Sequence, residues 1–147
     1  MRKTQKYWQI QINKLIQFCQ EKKWSLTFKG NGPDICFLST NEIEVGLNQS
    51  KESLLYSLLH EIGHLIEHQN KTWYKKKYKG LNYNRGSKIF KISFIFGEYS
   101  AWEVGLRLAK KLDIEVNEKN FLRIKSACLF TYLEQVVSSG RSRIDED

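Results

Sequence analysis

Proline is scarce in this chain, and long apolar runs are absent. A single proline among 147 residues leaves few positions that interrupt secondary structure, and it excludes a proline-rich disordered protein. No run approaches the roughly 18 apolar residues that a membrane-spanning helix needs, so we expect no membrane partner. Polar residues also interrupt the N-terminal stretch where an export signal would carry its apolar core, so we expect an unexported protein.

Cysteine is also scarce, and its spacing excludes two kinds of site. Cys19, Cys36 and Cys128 are odd in number and far apart in the sequence. They cannot form a complete set of disulfides, and no close pair exists to build a zinc knuckle. We interpret them as reduced thiols in the core of a cytoplasmic protein.

The length and composition predict one folded domain. With 147 residues, of which 41% are hydrophobic, the chain can bury one sizeable core but not two. We assign residues 1–138 to this domain. Residues 139–147 are polar and are expected to form a flexible tail.

The residue patterns predict an α+β fold, in which three strands follow an N-terminal amphipathic helix over residues 4–23. Short connections between the strands predict an antiparallel sheet that packs on two or three further helices. A second clear helix is expected from Glu98 to Leu112, and a third is capped by Asn117 and continues to Val136. A long loop with short helical pieces is expected over residues 71–87. The predicted strands are Trp24–Lys29, Ile35–Leu38 and Glu42–Asn48.

The stretch His60-Glu61-Ile62-Gly63-His64 contains H-E-x-x-H inside an apolar, helix-patterned run that Ser50 can cap. In a helix, His60 and His64 lie one turn apart on the same face, where two imidazoles can bind one Zn²⁺ ion. Glu61 lies beside the metal, where it can take a proton from a zinc-bound water. The alternative is a pair of ordinary core histidines, but all three histidines of the chain occur in this one segment.

A catalytic zinc usually has three protein ligands and one open position. His68 shares the face of His64 but lies about 12 Å along the helix axis from His60, too far to bind the same ion. The third ligand is therefore expected to be a carboxylate from another buried helix. Glu98 and Glu103 are the two candidates, and both lie on the next predicted helix, which runs from Glu98 to Leu112.

The motif at His60, followed by Glu98-Tyr99-Ser100-Ala101-Trp102, resembles the small gluzincin-type metallopeptidases of the ImmA/IrrE-like group and related phage and plasmid proteins. The resemblance covers roughly residues 45–112. It implies a zincin-like, or minigluzincin, fold with Glu98 as the third zinc ligand, since Ala101 and Trp102 also match. It further implies an edge strand, here Glu42–Asn48, to which an extended substrate adds as another strand.

These features together predict a zinc-dependent metallopeptidase. His60, His64 and Glu98 would bind Zn²⁺, and Glu61 would activate a water for hydrolysis of a peptide bond. The resemblance suggests a regulatory or repressor protein as the substrate. A donor to the oxyanion is also expected, and the sequence does not choose among Tyr83, Arg85 and Tyr99.

The net charge of +8 is concentrated in one segment, because no acidic residue lies between Glu67 and Glu98. Such a basic segment predicts contact with nucleic acid or an acidic partner, or it is a solvated lysine-rich loop. The alternative function is therefore a basic nucleic-acid-binding or adaptor domain with a structural or vestigial zinc site. The bases of this segment are Lys71, Lys75, Lys76, Lys77, Lys79, Arg85, Lys88 and Lys91.

Overall fold

The computed structural model describes residues 2–141, with side chains described as far as residue 137. Within these residues the fold is α+β, as predicted, with five α-helices and one three-stranded sheet. The elements in chain order are α1 (Gln5–Lys22), β1 (Ser25–Lys29), β2 (Ile35–Phe37), β3 (Glu42–Gly46), α2 (Lys51–Gln69), α3 (Lys71–Lys77), a 3₁₀ turn (Lys79–Asn82), α4 (Lys88–Lys111) and α5 (Glu118–Arg141).

Side-chain caps fix where the long helices begin. The Ser50 hydroxyl accepts a hydrogen bond from the Ser53 N–H at the start of α2, at 3.1 Å. The Asn117 carboxamide oxygen accepts one from the Asn120 N–H at the start of α5, at 3.0 Å. Both predicted caps are therefore confirmed, and each satisfies a backbone donor that the first turn of a helix leaves unpaired.

The sheet is mixed, so the prediction of an antiparallel sheet was wrong. Its strand order is β1-β3-β2, with β1 parallel to β3 and β2 antiparallel to β3. The segment Glu42–Asn48, which was expected to be an edge strand, contains the central strand. Within the described residues, the two edges of the sheet are β1 and β2.

The loop between β1 and β2 explains this order. It wraps around the end of β3, where the Asp34 carboxylate accepts a hydrogen bond from the Gly46 N–H at 2.9 Å. A Cβ atom on Gly46 would lie 2.8 Å from the Gly32 carbonyl oxygen, so only glycine fits beneath the loop. The loop therefore carries the chain past the end of β3, so that β2 pairs with the side of β3 opposite to β1. Leu47, which was included in the predicted strand Glu42–Asn48, lies beyond the end of β3 and is exposed.

The helix predicted from Glu98 is longer than expected, because α4 begins at Lys88. The apolar stretch before Glu98, which could be assigned neither to a helix nor to a strand from sequence, forms the first turns of this helix. The Ser87 hydroxyl caps it by accepting from the Phe90 N–H at 3.2 Å. Between α2 and α4 lie the short helix α3 and the 3₁₀ turn, which confirms the expected loop with short helical pieces.

The packing of α2 against α4 positions the site, and it depends on two glycines. A Cβ atom on Gly63 of α2 would overlap the Ala101 carbonyl oxygen of α4. A Cβ atom on Gly105 of α4 would overlap the Leu59 carbonyl oxygen of α2. The two helix backbones are therefore in direct contact. This contact places residue 98 of α4 opposite the H-E-x-x-H turn of α2.

The predicted flexible tail lies mostly outside the described residues, since α5 continues to Arg141 and residues 142–147 are not described. The predicted boundary at residue 138 therefore falls within α5. None of the helices in the described part of the chain has the length and apolar character needed to cross a membrane.

The contact between α2 and α4 predicts that one methyl group added at Gly63 destabilises the folded protein. Gly63→Ala should lower the free energy of unfolding by about 1–3 kcal/mol, because the added carbon meets backbone rather than a movable side chain. The control is Gly97→Ala in α4, where the added carbon would lie 3.6 Å from the Tyr78 ring. This control should be neutral or stabilising, because alanine favours the helix. Denaturant unfolding measures both variants, and equal stability of the two would contradict the packing described.

Candidate metal centre

Three side chains from two helices meet where α2 and α4 cross. His60 and His64 project from α2, and their ring centroids lie 4.7 Å apart. Glu98 projects from α4, with one carboxylate oxygen 2.9 Å from His60 Nε2 and the other 3.3 Å from His64 Nε2. The structure therefore brings together the three residues that the sequence analysis assigned as metal ligands.

Two facing atoms of this group lack a hydrogen-bond partner. His60 Nε2 and Glu98 Oε2 are buried and only 2.9 Å apart, yet neither makes a hydrogen bond of acceptable geometry within the described residues. We interpret this distance as a charge contact without a directed hydrogen bond. Buried polar atoms of this kind require a partner. A cation bound to both atoms would satisfy them, so the donor set fits a metal ion.

Glu61 belongs to the same group but approaches from another side. Its carboxylate and the two imidazoles have donor atoms within 4.8 Å of one another, so distance alone also permits Glu61 as a ligand. Its Oε1 lies 3.4 Å from His60 Nδ1, however, whereas Glu98 contacts Nε2 of both rings. Glu98 therefore lies on the Nε2 side of both rings, whereas Glu61 lies on the Nδ1 side of His60. Glu61 remains beside the group, as predicted.

The charges of the group stabilise one another. Burial alone would raise the pKa of Glu98, but the contacts with His60 and His64 outweigh it and lower the pKa well below the usual carboxyl range. Burial alone would lower the pKa of His60, but the Glu61 and Glu98 carboxylates outweigh it and raise the pKa above its usual value. The site therefore holds an ionised carboxylate and attracts positive charge.

Trp102 fixes the orientation of His60. Its ring stacks on the His60 ring with a centroid distance of 4.3 Å and an interplanar angle of 5°, and the side chain is almost fully buried. Trp102 is also part of the hydrophobic core. The contact with His60 was not predicted, although Trp102 lies four residues after Glu98, on the same side of α4.

The two rejected ligand candidates lie elsewhere. Glu103 forms a salt bridge with Lys125 of α5, so its carboxylate is already neutralised away from the imidazoles. The His68 ring makes an edge contact with Tyr74 at 4.9 Å between centroids. Neither residue lines the cavity around the metal centre.

A cavity of about 380 Å³ opens onto the centre, and several of its walls come from residues that the sequence did not single out. Tyr74, Tyr78 and Tyr132 line it, whereas the proposed oxyanion donors do not. The prediction of those donors was wrong, because Tyr83, Arg85 and Tyr99 are all exposed. No periodic pattern marks the three tyrosines, since they come from α3, the residue after it and α5.

The edge strand β2 forms another wall of this cavity. Ile35 and Cys36 line it directly, together with Asp34 and Leu38 on either side of the strand. Burial, followed by the charges of Glu61 and Glu98, raises the pKa of the Cys36 thiol to about 12. Cys36 is therefore a neutral thiol, in line with the expected reduced cysteines. Within the described residues, the free edge of the sheet next to the metal centre belongs to β2.

A buried polar cluster connects the basic segment to the metal-centre helices. The Tyr78 hydroxyl donates a hydrogen bond of 2.6 Å to Glu67 on α2, and Lys77 donates to the same oxygen at 3.2 Å. Lys77 also donates to the Ser100 hydroxyl on α4 at 3.0 Å. Glu67 lies one turn after His64, so this cluster anchors the end of α3 beside the site. It also removes Lys77 from the basic surface.

Comparison with known proteins gives no match. No family model fits the chain, and no curated protein or solved structure is significantly similar to it.

The polar cluster predicts that removal of the Tyr78 hydroxyl measurably destabilises the folded protein. Tyr78→Phe should lower the free energy of unfolding by about 1–3 kcal/mol, because it removes a hydrogen bond to the buried Glu67 carboxylate. The matched control is Tyr83→Phe, where the hydroxyl is removed from an exposed ring and the change should be within about 0.5 kcal/mol. Denaturant unfolding tests both variants, and an equally small change in both would show that the cluster does not anchor α3.

Proposed function

We propose that this protein is a zinc-dependent peptidase with a zincin-like fold. The single observation that carries this proposal is the position of the Glu98 carboxylate, which contacts Nε2 of both His60 and His64 beside the Glu61 carboxylate. This arrangement agrees with the resemblance of the two helices to the ImmA/IrrE-like metallopeptidases. The mixed α+β architecture is compatible with such a fold.

His60, His64 and Glu98 would bind Zn²⁺ as two neutral imidazoles and one carboxylate, a donor set common to catalytic zinc sites. The bound ion would supply a Lewis acid and lower the pKa of a water at its open position. Trp102 stacks on one imidazole and limits its rotation. Because the ligands come from two helices in backbone contact, little reorganisation is needed before the ion binds.

Glu61 would act as the general base. Its side chain is buried, lines the cavity and lies beside the imidazole pair, so its Oε1 can accept a proton from water there. The same carboxyl can then donate this proton to the amine of the leaving peptide. Tyr74 and Tyr132 line the same cavity, and burial raises the pKa of each hydroxyl, so both remain donors for a developing oxyanion.

The substrate would be a protein or peptide bound in extended form. The free edge of β2 borders the cavity, so a substrate strand can add to this edge through backbone hydrogen bonds. This assigns to β2 the role that the sequence analysis gave to Glu42–Asn48. The family resemblance suggests a regulatory or repressor protein as the substrate.

Zinc binding tests the ligand assignment. Wild-type protein should bind one zinc ion per chain, whereas Glu98→Gln should weaken binding by at least about 100-fold, because a neutral amide replaces a ligand carboxylate of the same shape. The matched control is Glu103→Gln, which should retain full zinc content because Glu103 contacts Lys125 instead. Metal analysis after dialysis against competing chelator measures all three proteins. Loss of zinc from Glu103→Gln but not from Glu98→Gln would show that Glu103, and not Glu98, is the ligand.

Removal of the general base tests the reaction. Glu61→Gln should retain one zinc per chain but lower the rate of peptide hydrolysis by about 10²–10⁴-fold, because the amide cannot accept the proton from water. The assay is mass-spectrometric detection of cleavage in a peptide library, with wild-type protein alongside. Undiminished cleavage by this variant would contradict the role of Glu61.

One observation favours a second candidate function, a basic nucleic-acid-binding or adaptor domain. The segment Lys71–Lys91 contains no acid, and Trp73 and Tyr83 are exposed among its bases. Exposed aromatic rings and lysines can bind single-stranded nucleic acid. Salt-dependent binding of an oligonucleotide by zinc-free Glu61→Gln protein, without cleavage of any peptide by the wild type, would favour this function.

A further inference from the structure

A second cavity of about 510 Å³ lies away from the proposed zinc ligands, between the C-terminal parts of α1, α2 and α4. His60, Glu61, His64 and Glu98 do not line it. Among the residues that the structure describes, Glu67 alone borders both cavities. The volume is within the range of small-molecule sites, which is roughly 300–1,000 Å³.

Part of the wall of this cavity is apolar and aromatic, and the polar residues Gln69 and Asn70 also line it. Phe18 and Trp24 form one side, and Ile66, Val104 and Leu108 form the other. Trp24 and Leu108 are buried members of the hydrophobic core, so the cavity reaches the core rather than only the surface. The apolar part of the wall offers contact area to an apolar ligand.

The rim of the cavity is positively charged. Lys22, Arg107 and Lys111 border it and are exposed. Within residues 2–141, none of the three forms a salt bridge with an acid, although Lys22 lies 5.7 Å from the Phe18 ring centroid. Three cations without acidic partners beside an apolar cavity attract an anion and repel a cation.

Glu67 is the only acid among the described residues of the lining, and its two carboxylate oxygens have different surroundings. Oε2 accepts hydrogen bonds from Tyr78 and Lys77, so Lys77 balances much of the charge of this carboxylate. Oε1 is buried and has no partner among the described residues. The negative charge is therefore held in the protein interior, whereas the unpaired positive charge is at the rim.

We propose that this cavity binds a small amphipathic anion, a monocarboxylate with an aliphatic or aromatic body such as a medium-chain fatty acid. Its apolar body would lie against Trp24 and Leu108, and its carboxylate would lie at the rim near Arg107 and Lys111. A bidentate contact with a guanidinium group suits a carboxylate head. This site is independent of the proposed peptidase reaction.

The four tryptophans allow the site to be located directly. Sodium decanoate is titrated into ¹⁵N-labelled full-length protein, and the four indole N–H signals are followed by NMR, after assignment with single Trp→Phe variants. The signals of Trp24 and Trp73, which line the cavity, should shift in a saturable manner. The signals of Trp8 and of Trp102, which stacks on His60, should remain in place. A shift of Trp102 alone would mean that the carboxylate binds at the metal centre and would overturn the proposal.

Charge variants test the rim. The double variant Arg107→Gln/Lys111→Gln should weaken decanoate binding by roughly tenfold, because both proposed carboxylate partners become neutral. The matched control is Lys110→Gln, an exposed base on the same turn of α4 that does not line the cavity. All these residues are exposed, so the variants should fold as the wild type does. Equal weakening by the control would overturn the proposal.

Ligand charge provides the last comparison. Decyltrimethylammonium, with the same chain length and a positive head, should not shift the Trp24 and Trp73 signals at the concentrations where decanoate does. Equal shifts with both compounds would show that the cavity binds amphipathic molecules regardless of the charge of the head group, and would overturn the proposal. Shifts of the two indoles with an acidic peptide but not with decanoate would assign the cavity to a protein partner, and would also overturn it.

Discussion

The backbone contact between α2 and α4 is the constraint on which the candidate site depends. Gly63 lies between the two histidines and has no room for a side chain, because Ala101 of α4 is directly opposite. A wider separation of the helices would move the Glu98 carboxylate away from both imidazoles, which it contacts at 2.9 and 3.3 Å. In the proposed zinc site, this stretch would therefore supply two ligands and also the surface against which the helix of the third ligand packs.

Polar and aromatic contacts hold the region around the site in place. Trp102 orients His60 by stacking, and the Glu67–Tyr78 hydrogen bond joins the segment after α3 to the motif helix. Buried hydrogen-bonded groups of this kind are costly to leave unpaired, so they specify one arrangement of the chain. The short helix α3 contains no buried residue of its own, and its position depends on these contacts.

The site was easier to predict from the sequence than the sheet. The spacing of His60 and His64 determines their geometry once the segment is helical, and the capping residue Ser50 is local. The strand order depends instead on the Gly46–Asp34 contact between residues twelve apart, which no periodicity reveals. The lining tyrosines were missed for the same reason, since Tyr74 and Tyr132 meet at the cavity only after α3 and α5 have packed. The sequence pattern narrowed the proposed third ligand to Glu98 or Glu103, and only the resemblance favoured Glu98.

The most direct test of the account is a crystal structure of the wild-type protein grown with one equivalent of zinc, with the ion located by its anomalous scattering. The account predicts a single site in which His60, His64 and Glu98 contribute one ligand each, with Glu61 beside the ion but not bound to it. A zinc ion bound through Glu61 in place of Glu98, or located away from the two imidazoles, would contradict it.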